Sequence, residues 1–382
     1  MVSARPARGD TLLVAMLERS RFPLSALFEL TRRCNLRCSH CYLDLEPGTD
    51  ASPEMVVRAL DELADAGTLF ATFTGGEPSL HPRWLDLAAH ARRRGFAVRL
   101  KTNATRLEDT EIGRIADLPV LSVDVSVYGT DPAVHDSVTG VIGSFEHTLS
   151  SVTRLRARGV NVSLRFPLLE ITAAQLEGFM AFAGDLGCTF VVDLRISPSL
   201  DAERDTRAIA PAVATIHDAL DMLHREILPP PDSTGRTPAE NPWPCLRVQS
   251  GLYLRSDGEI RRCPLLPIPL GSALDGPIPD VWRASSARRK LLDASWSAPD
   301  RCVTCDLAWA CTRCAAQAWL EHGGLEHPAT IDCHLAAARA KGGVADPVPR
   351  CDTCGAAPGL SATRVRVECE RSGHDGHTGR VE

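Results

Sequence analysis

Cysteine carries most of the chemistry open to this 382-residue chain, and all but one of its 14 cysteines fall in three groups. The first is Cys34-Asn35-Leu36-Arg37-Cys38-Ser39-His40-Cys41, a CxxxCxxC run. Three thiolates on one loop can hold three irons of a [4Fe–4S] cubane and leave the fourth iron open. Zinc is the alternative, with His40 as fourth ligand, and redox-active thiols are another. The second group is Cys245, Cys263, Cys302, Cys305, Cys311, Cys314 and Cys333, one thiolate short of the eight that two cubanes need. A pair of zinc ribbons would use the same residues. The third joins Cys351, Cys354 and Cys369 to His374, with His377 close by, a donor set suited to tetrahedral zinc or else a tail of idle thiols. Cys188 stands alone among apolar residues and reads as a small buried hydrophobe. Clustered CxxC spacing in a chain this long points to metal ahead of disulfides.

From Glu29 through Tyr42 the segment resembles the radical S-adenosylmethionine (SAM) superfamily, and Gly75-Gly76-Glu77-Pro78 is similar to that family's GGE motif. The resemblance implies an enzyme whose open iron chelates SAM and whose cluster passes the electron that cleaves it to a 5′-deoxyadenosyl radical. Gly75 and Gly76 let backbone approach a ligand closely, and Glu77 with neighbouring backbone groups can receive the methionyl ammonium. By resemblance Ser126 binds the SAM carboxylate and Asn103 reaches the ribose side, although polar residues at strand ends also cap helices. Arg165, on an otherwise apolar strand, is a candidate partner for the same carboxylate. His135-Asp136 is similar to a pair in peptide-modifying members, and reads equally well as a loop-pinning hydrogen-bonded pair.

The second group, with Gly258 five positions before Cys263, resembles the SPASM extension of these enzymes, including the type that cross-links the pyrroloquinoline-quinone peptide. It departs in having two residues before Cys314 where much of the family has three. The resemblance implies two auxiliary Fe–S clusters. Cys302, Cys305, Cys311 and Cys333 would hold the outer one, and Cys245, Cys263 and Cys314 the inner one, whose fourth ligand is missing, non-cysteine or supplied by substrate. The implied activity is oxidative modification, chiefly cross-linking, of a ribosomally made precursor peptide. Sulfatase-type Cys or Ser oxidation and tetrapyrrole modification are the alternatives, the former weakened by a missing cysteine. A non-catalytic Fe–S carrier fits poorly with an intact CxxxCxxC and GGEP. Implied partners are a leader-bearing peptide, a reductase or flavodoxin and, since only about twenty residues precede the first strand, a separate leader-recognition protein.

The elements that must position these residues alternate between strand and helix. Apolar runs at 26–30, 69–74, 97–101, 121–127, 160–166 and 190–196 read as parallel strands buried on both faces. Ser52-Pro53 and Gly67 bracket one helix, and further helices are expected at 84–94, 108–116, 145–158, 173–186 and 212–227. This predicts an α/β fold, a partial (β/α)6 TIM-type barrel with its site at the C-terminal strand ends. The expected domains are an N-terminal segment (1–23), the barrel (24–227), a proline-rich linker (228–244), the SPASM-like domain (245–340) and a Cys/His tail (341–382) with possible zinc. A net charge of −6 argues against nucleic acid. No apolar run is long enough for a membrane span and no signal peptide is evident, so a cytoplasmic protein is expected.

Overall fold

A computed structural model describes residues 22–43, 50–200, 206–226, 250–296, 302, 305, 307, 310–311 and 313–341. The expected linker, Cys245, and the tail residues Cys351, Cys354, Cys369, His374 and His377 lie outside the described residues, as does all but the end of the N-terminal segment.

Six parallel strands follow one another in spatial order: β1 (Ser25–Glu29), β2 (Phe70–Thr74), β3 (Ala97–Thr102), β4 (Ser122–Ser126), β5 (Val162–Pro167) and β6 (Thr189–Asp193). Between them run α1 (Pro53–Ala66), α2 (Trp84–Arg93), α3 (Asp109–Asp117), α4 (Pro132–Thr139), α5 (Ser144–Ala157) and α6 (Leu176–Asp185), and α7 (Val213–Glu226) comes after β6. Local chemistry sets the boundaries of α1. Ser52 accepts the Met55 N–H, Pro53 opens the first turn, and Gly67 closes the last with a left-handed backbone at φ 101°.

Strand alternation sorts the side chains. Phe28, Phe73, Leu100 and Val123 lie side by side across β1 to β4, and with Ala26, Ala71, Val98, Val125, Leu164 and Phe166 they are buried in the main core. The opposite face is polar. Glu29 pairs with Thr74, Lys101 with Asp124, and Ser126 with Arg165. The central strands β4 and β5 are largely buried on both faces as expected, but one face is apolar and packs on helices while the other carries charge, a cost met at Asp124 and Glu29 by hydrogen bonds from the protein.

The sheet also continues past the proline-rich segment. β7 (Gly251–Leu254) pairs parallel to β1, and β8 (Glu259–Arg261) and β9 (Gly271–Ser272) extend it antiparallel, giving nine strands in all among the described residues. Helices α8 (Ile278–Ala284), α9 (Ser286–Trp296), α10 (Ala315–His322) and α11 (Thr330–Lys341) follow. Trp282, Ala316, Leu335 and Ala338 belong to the same buried cluster as the strands, so one continuous core underlies both halves.

Candidate active site at the C-terminal strand ends

The first cysteine loop leaves the end of β1 and is held from two sides. Gly76 N–H donates to Thr31 C=O (2.7 Å) and Glu77 N–H to Arg33 C=O (2.8 Å). A methyl group at Gly76 would stand 2.4 Å from the Arg33 carbonyl oxygen, and one at Gly75 2.4 Å from that of Thr31. The two glycines therefore admit the backbone that leads into Cys34. From the other side, α4 offers its last carbonyls: Arg37 N–H donates to Thr139 and Ser39 N–H to Val138.

The side chains singled out from the sequence divide into those that build this support and those that face the opening. Glu77 is fully buried and already engaged: it accepts from Thr102 Oγ1 (2.6 Å), Asn103 N–H (2.7 Å) and Ser79 N–H (3.0 Å). Burial pushes its pKa up while these donors hold it back. It thus ties the end of β2 to the end of β3, with its oxygens turned to the protein. Asn103 donates through Nδ2 to Asn35 Oδ1 (2.9 Å) and accepts from Thr105, and Asn35 in turn donates to Thr105 (2.7 Å). Its side chain braces the cysteine loop. Pro78 opens a short 3-10 turn beside them.

His135 and Asp136 take the pinning role. Tyr128 N–H donates to His135 Nδ1 (3.3 Å), and burial drives this imidazole down to about 4, leaving it neutral. Asp136 accepts from Gly143 N–H, Phe145 N–H and Ser144 Oγ, capping α5 from α4. Sequence reasoning missed α4 itself; its signal was Asp131-Pro132, an N-cap followed by proline at the first position, and Gly140 at its end.

Ser126 and Arg165 stand side by side at the ends of β4 and β5. Arg165 is 24% exposed and reaches back to the buried Asp124 (2.5 Å), while its Nε is buried without a hydrogen-bond partner. A guanidinium anchored at one edge and unsatisfied at another can still receive an anion. Lys101 lies next to Asp124 on the same face.

The three thiols form one electrostatic unit. Burial, opposed by the Leu36 N–H on its sulfur, raises Cys34 to about 11; burial raises Cys38 to about 12 and outweighs the Tyr128 hydroxyl. The ionised forms of Cys34, Cys38 and Cys41 also repel one another. All three are free thiols. Such a set ionises only beside a strong cation, and the donors aimed at its sulfurs suit iron-bound thiolates, so these residues fit a cubane. His40, the zinc alternative's fourth ligand, is half-buried, lowered to about 4 by desolvation, and tilted against Tyr128 with centroids 5.0 Å apart. Among the described residues no three His, Cys, Asp or Glu side chains converge as a single ion requires.

Residues 28–183 match the Radical SAM superfamily. That stretch is a radical SAM domain, and the relatives it resembles are enzymes. The chain is 30% identical over 260 residues to the antilisterial bacteriocin subtilosin biosynthesis protein AlbA of Bacillus subtilis, covering 64% of this chain and 56% of AlbA. The chain thus spans little over half of that relative. An AdoMet-dependent heme synthase of Methanosarcina barkeri is 22% identical over 334 residues, covering 81% and 95%. In fold, the chain is similar to Streptococcus suis SuiB bound to precursor peptide SuiA, with a TM-score of 0.67, 16% identity, and 87% and 82% of the two chains covered. No described helix is long and apolar enough to cross a membrane.

Four cysteines of the second group are also drawn together. Burial raises Cys311 and Cys333 to about 12, and each is repelled by Cys302 and Cys305, so the four residues assigned to an outer cluster are neighbours. Cys263 and Cys314 both border the main core. Cys188 is buried in that core, as a small hydrophobe would be.

Proposed function

We propose that this radical SAM enzyme is a peptide maturase: it oxidatively modifies, chiefly by cross-linking, a ribosomally made precursor peptide. The observation that carries this reading is where the second cysteine group docks. Arg195, two residues beyond β6, bonds Asp332 through Nε at 2.8 Å, and Gln317 donates to Ser197 at 2.6 Å. Because β1 and β6 run parallel, Asp332 and its neighbour Cys333 stand at the same end of the sheet as the first cysteine loop. A substrate there would meet an electron acceptor on one side and SAM on the other. Cys302, Cys305, Cys311 and Cys333 would hold the acceptor, and Cys245, Cys263 and Cys314 a second cluster in a SPASM-like segment.

Cys34, Cys38 and Cys41 would hold the cubane, whose chemistry when bound would be the one-electron reduction that splits SAM. The chain's residues do the rest by position. Arg165 and Ser126 orient the SAM carboxylate, the Gly75–Gly76 backbone lies against the loop where its ammonium would sit, and α4 fixes the loop. AlbA's part in bacteriocin biosynthesis and SuiB's bound precursor support a peptide substrate; a separate leader-recognition protein and a reductase or flavodoxin are the partners this reading expects. The heme-synthase relative keeps tetrapyrrole modification as the second reading. Co-expression with short precursor peptides encoded nearby, followed by mass spectrometry, tests the choice. A loss of two hydrogens that needs Cys34, Cys38 and Cys41 is expected; modification of a tetrapyrrole carboxylate side chain with no change in any peptide would overturn it.

A further inference from the structure

The residue that touches both the cysteine loop and the SAM-facing strand end is one that the motifs leave without a task. Tyr128 follows β4 by two residues and is 4% exposed. Its hydroxyl lies 3.7 Å from Cys38 Sγ and also bonds Ser126. The ring is clamped between two imidazoles, His40 at 5.0 Å and His135 at 5.2 Å between centroids, and its own N–H is held by His135. With Val138, Leu169 and Ile196 it forms a small apolar cluster against which Cys38 packs.

We infer that Tyr128 is a positioning residue that donates its hydroxyl proton to the Cys38 sulfur and thereby sets the reduction potential of the cluster. Once Cys38 is an iron-bound thiolate it can only accept, so the phenol must be the donor. A hydrogen bond to a ligand sulfur stabilises the extra electron density of the reduced cluster more than the oxidised one, which raises the potential. The site is dry, so the bond is not diluted by competing water. Ser126 donates to the phenol oxygen and leaves the phenol proton for the sulfur, so a ligand that draws Ser126 away would weaken the Tyr128 bond to sulfur. SAM is expected to do this. The inference rests on the superfamily's cluster and does not depend on the identity of the substrate.

Tyr128→Phe keeps the ring in its clamp and removes only the donor. The measurement is the midpoint potential of the N-terminal cluster in the full-length reconstituted protein, with and without SAM, alongside iron content. In a background where Cys245, Cys263, Cys302, Cys305, Cys311 and Cys314 are alanine, which removes ligands of both proposed auxiliary clusters, the signal belongs to this cluster. The expected result is a lower potential at unchanged iron content, by up to a tenfold shift in the one-electron equilibrium, about 59 mV. The variant should also show a smaller response to SAM. An unchanged potential, or failure of the variant to keep its iron, would overturn the inference, since either would make Tyr128 a packing residue only.

Discussion

A residue's motif and its job separate in this site. Glu77 looks like a ligand in the sequence, yet its hydrogen-bond partners are all donors from the protein. Glu77→Gln puts an amide N–H₂ against those donors. It should cost about 1–3 kcal/mol, read as a lower melting temperature and a lower iron content after reconstitution. Gly76→Ala tests the same support from the backbone side. Its new methyl meets the Arg33 carbonyl, which no rotamer change can move, so the loop must shift. Stability should fall by roughly 1–3 kcal/mol, with the thiols losing iron first. Asp136 gives a pH test. Burial alone would raise its pKa, but the Phe145 and Gly143 N–H groups and the Ser144 hydroxyl hold it below the ordinary 3.8. A depressed carboxyl contributes stability above its unfolded value and loses it as pH falls through the folded one. Asp136→Ala should therefore cost about 1–2 kcal/mol near neutrality, and the gap from the native protein should close on acidification in melting curves taken from pH 7 downward.

At the scale of elements, periodicity made β1 to β6 and most helices legible, because apolar runs, N-caps and terminal glycines are local signals. What stayed hidden was long-range. The partner of β7 is β1, some 226 residues earlier in register (Ser25 with Gly251), and no spacing rule announces that. The polar lumen face was hidden too, since Lys101, Asp124 and Arg165 read singly as exceptions on apolar strands and make sense only as one row. The cysteine loop was readable because its spacing is the chemistry, whereas the roles of Asn103 and Asp136 depend on partners in other elements. The lock between β1 and β7 is Glu29, which receives the Tyr253 hydroxyl, Ser256 Oγ and N–H, and Arg32 Nε; Arg32 also reaches Asp257 (3.0 Å). Tyr253→Phe removes one donor from that buried carboxylate. The expected outcome is a loss of about 1.5–3 kcal/mol, with faster hydrogen exchange in 251–261 and unchanged exchange in β4 and β5.

For the whole molecule the question is how two cysteine groups, about 200 residues apart in sequence, keep a fixed geometry. Asp332 is where that geometry converges. It is 1% exposed, sits on α11 beside Cys333, accepts the Cys314 N–H at 2.6 Å and pairs with Arg195 from the β6 end. One carboxylate therefore joins a ligand candidate of each proposed auxiliary cluster to the sheet that carries the SAM site. Removing it takes from Arg195 and the Cys314 N–H an acceptor that is itself buried, which costs more than losing an exposed ion pair would. Asp332→Ala should destabilise the docking of α10 and α11 by about 3–5 kcal/mol while β1 to β5 and the first cysteine loop stay folded. Limited proteolysis should then cut between α9 and α11 well before the sheet. Iron content should fall toward that of a protein holding only Cys34, Cys38 and Cys41, with SAM cleavage retained but peptide oxidation lost. Loss of both activities together would mean instead that the core shared by the two halves, and not this carboxylate, fixes their relative position.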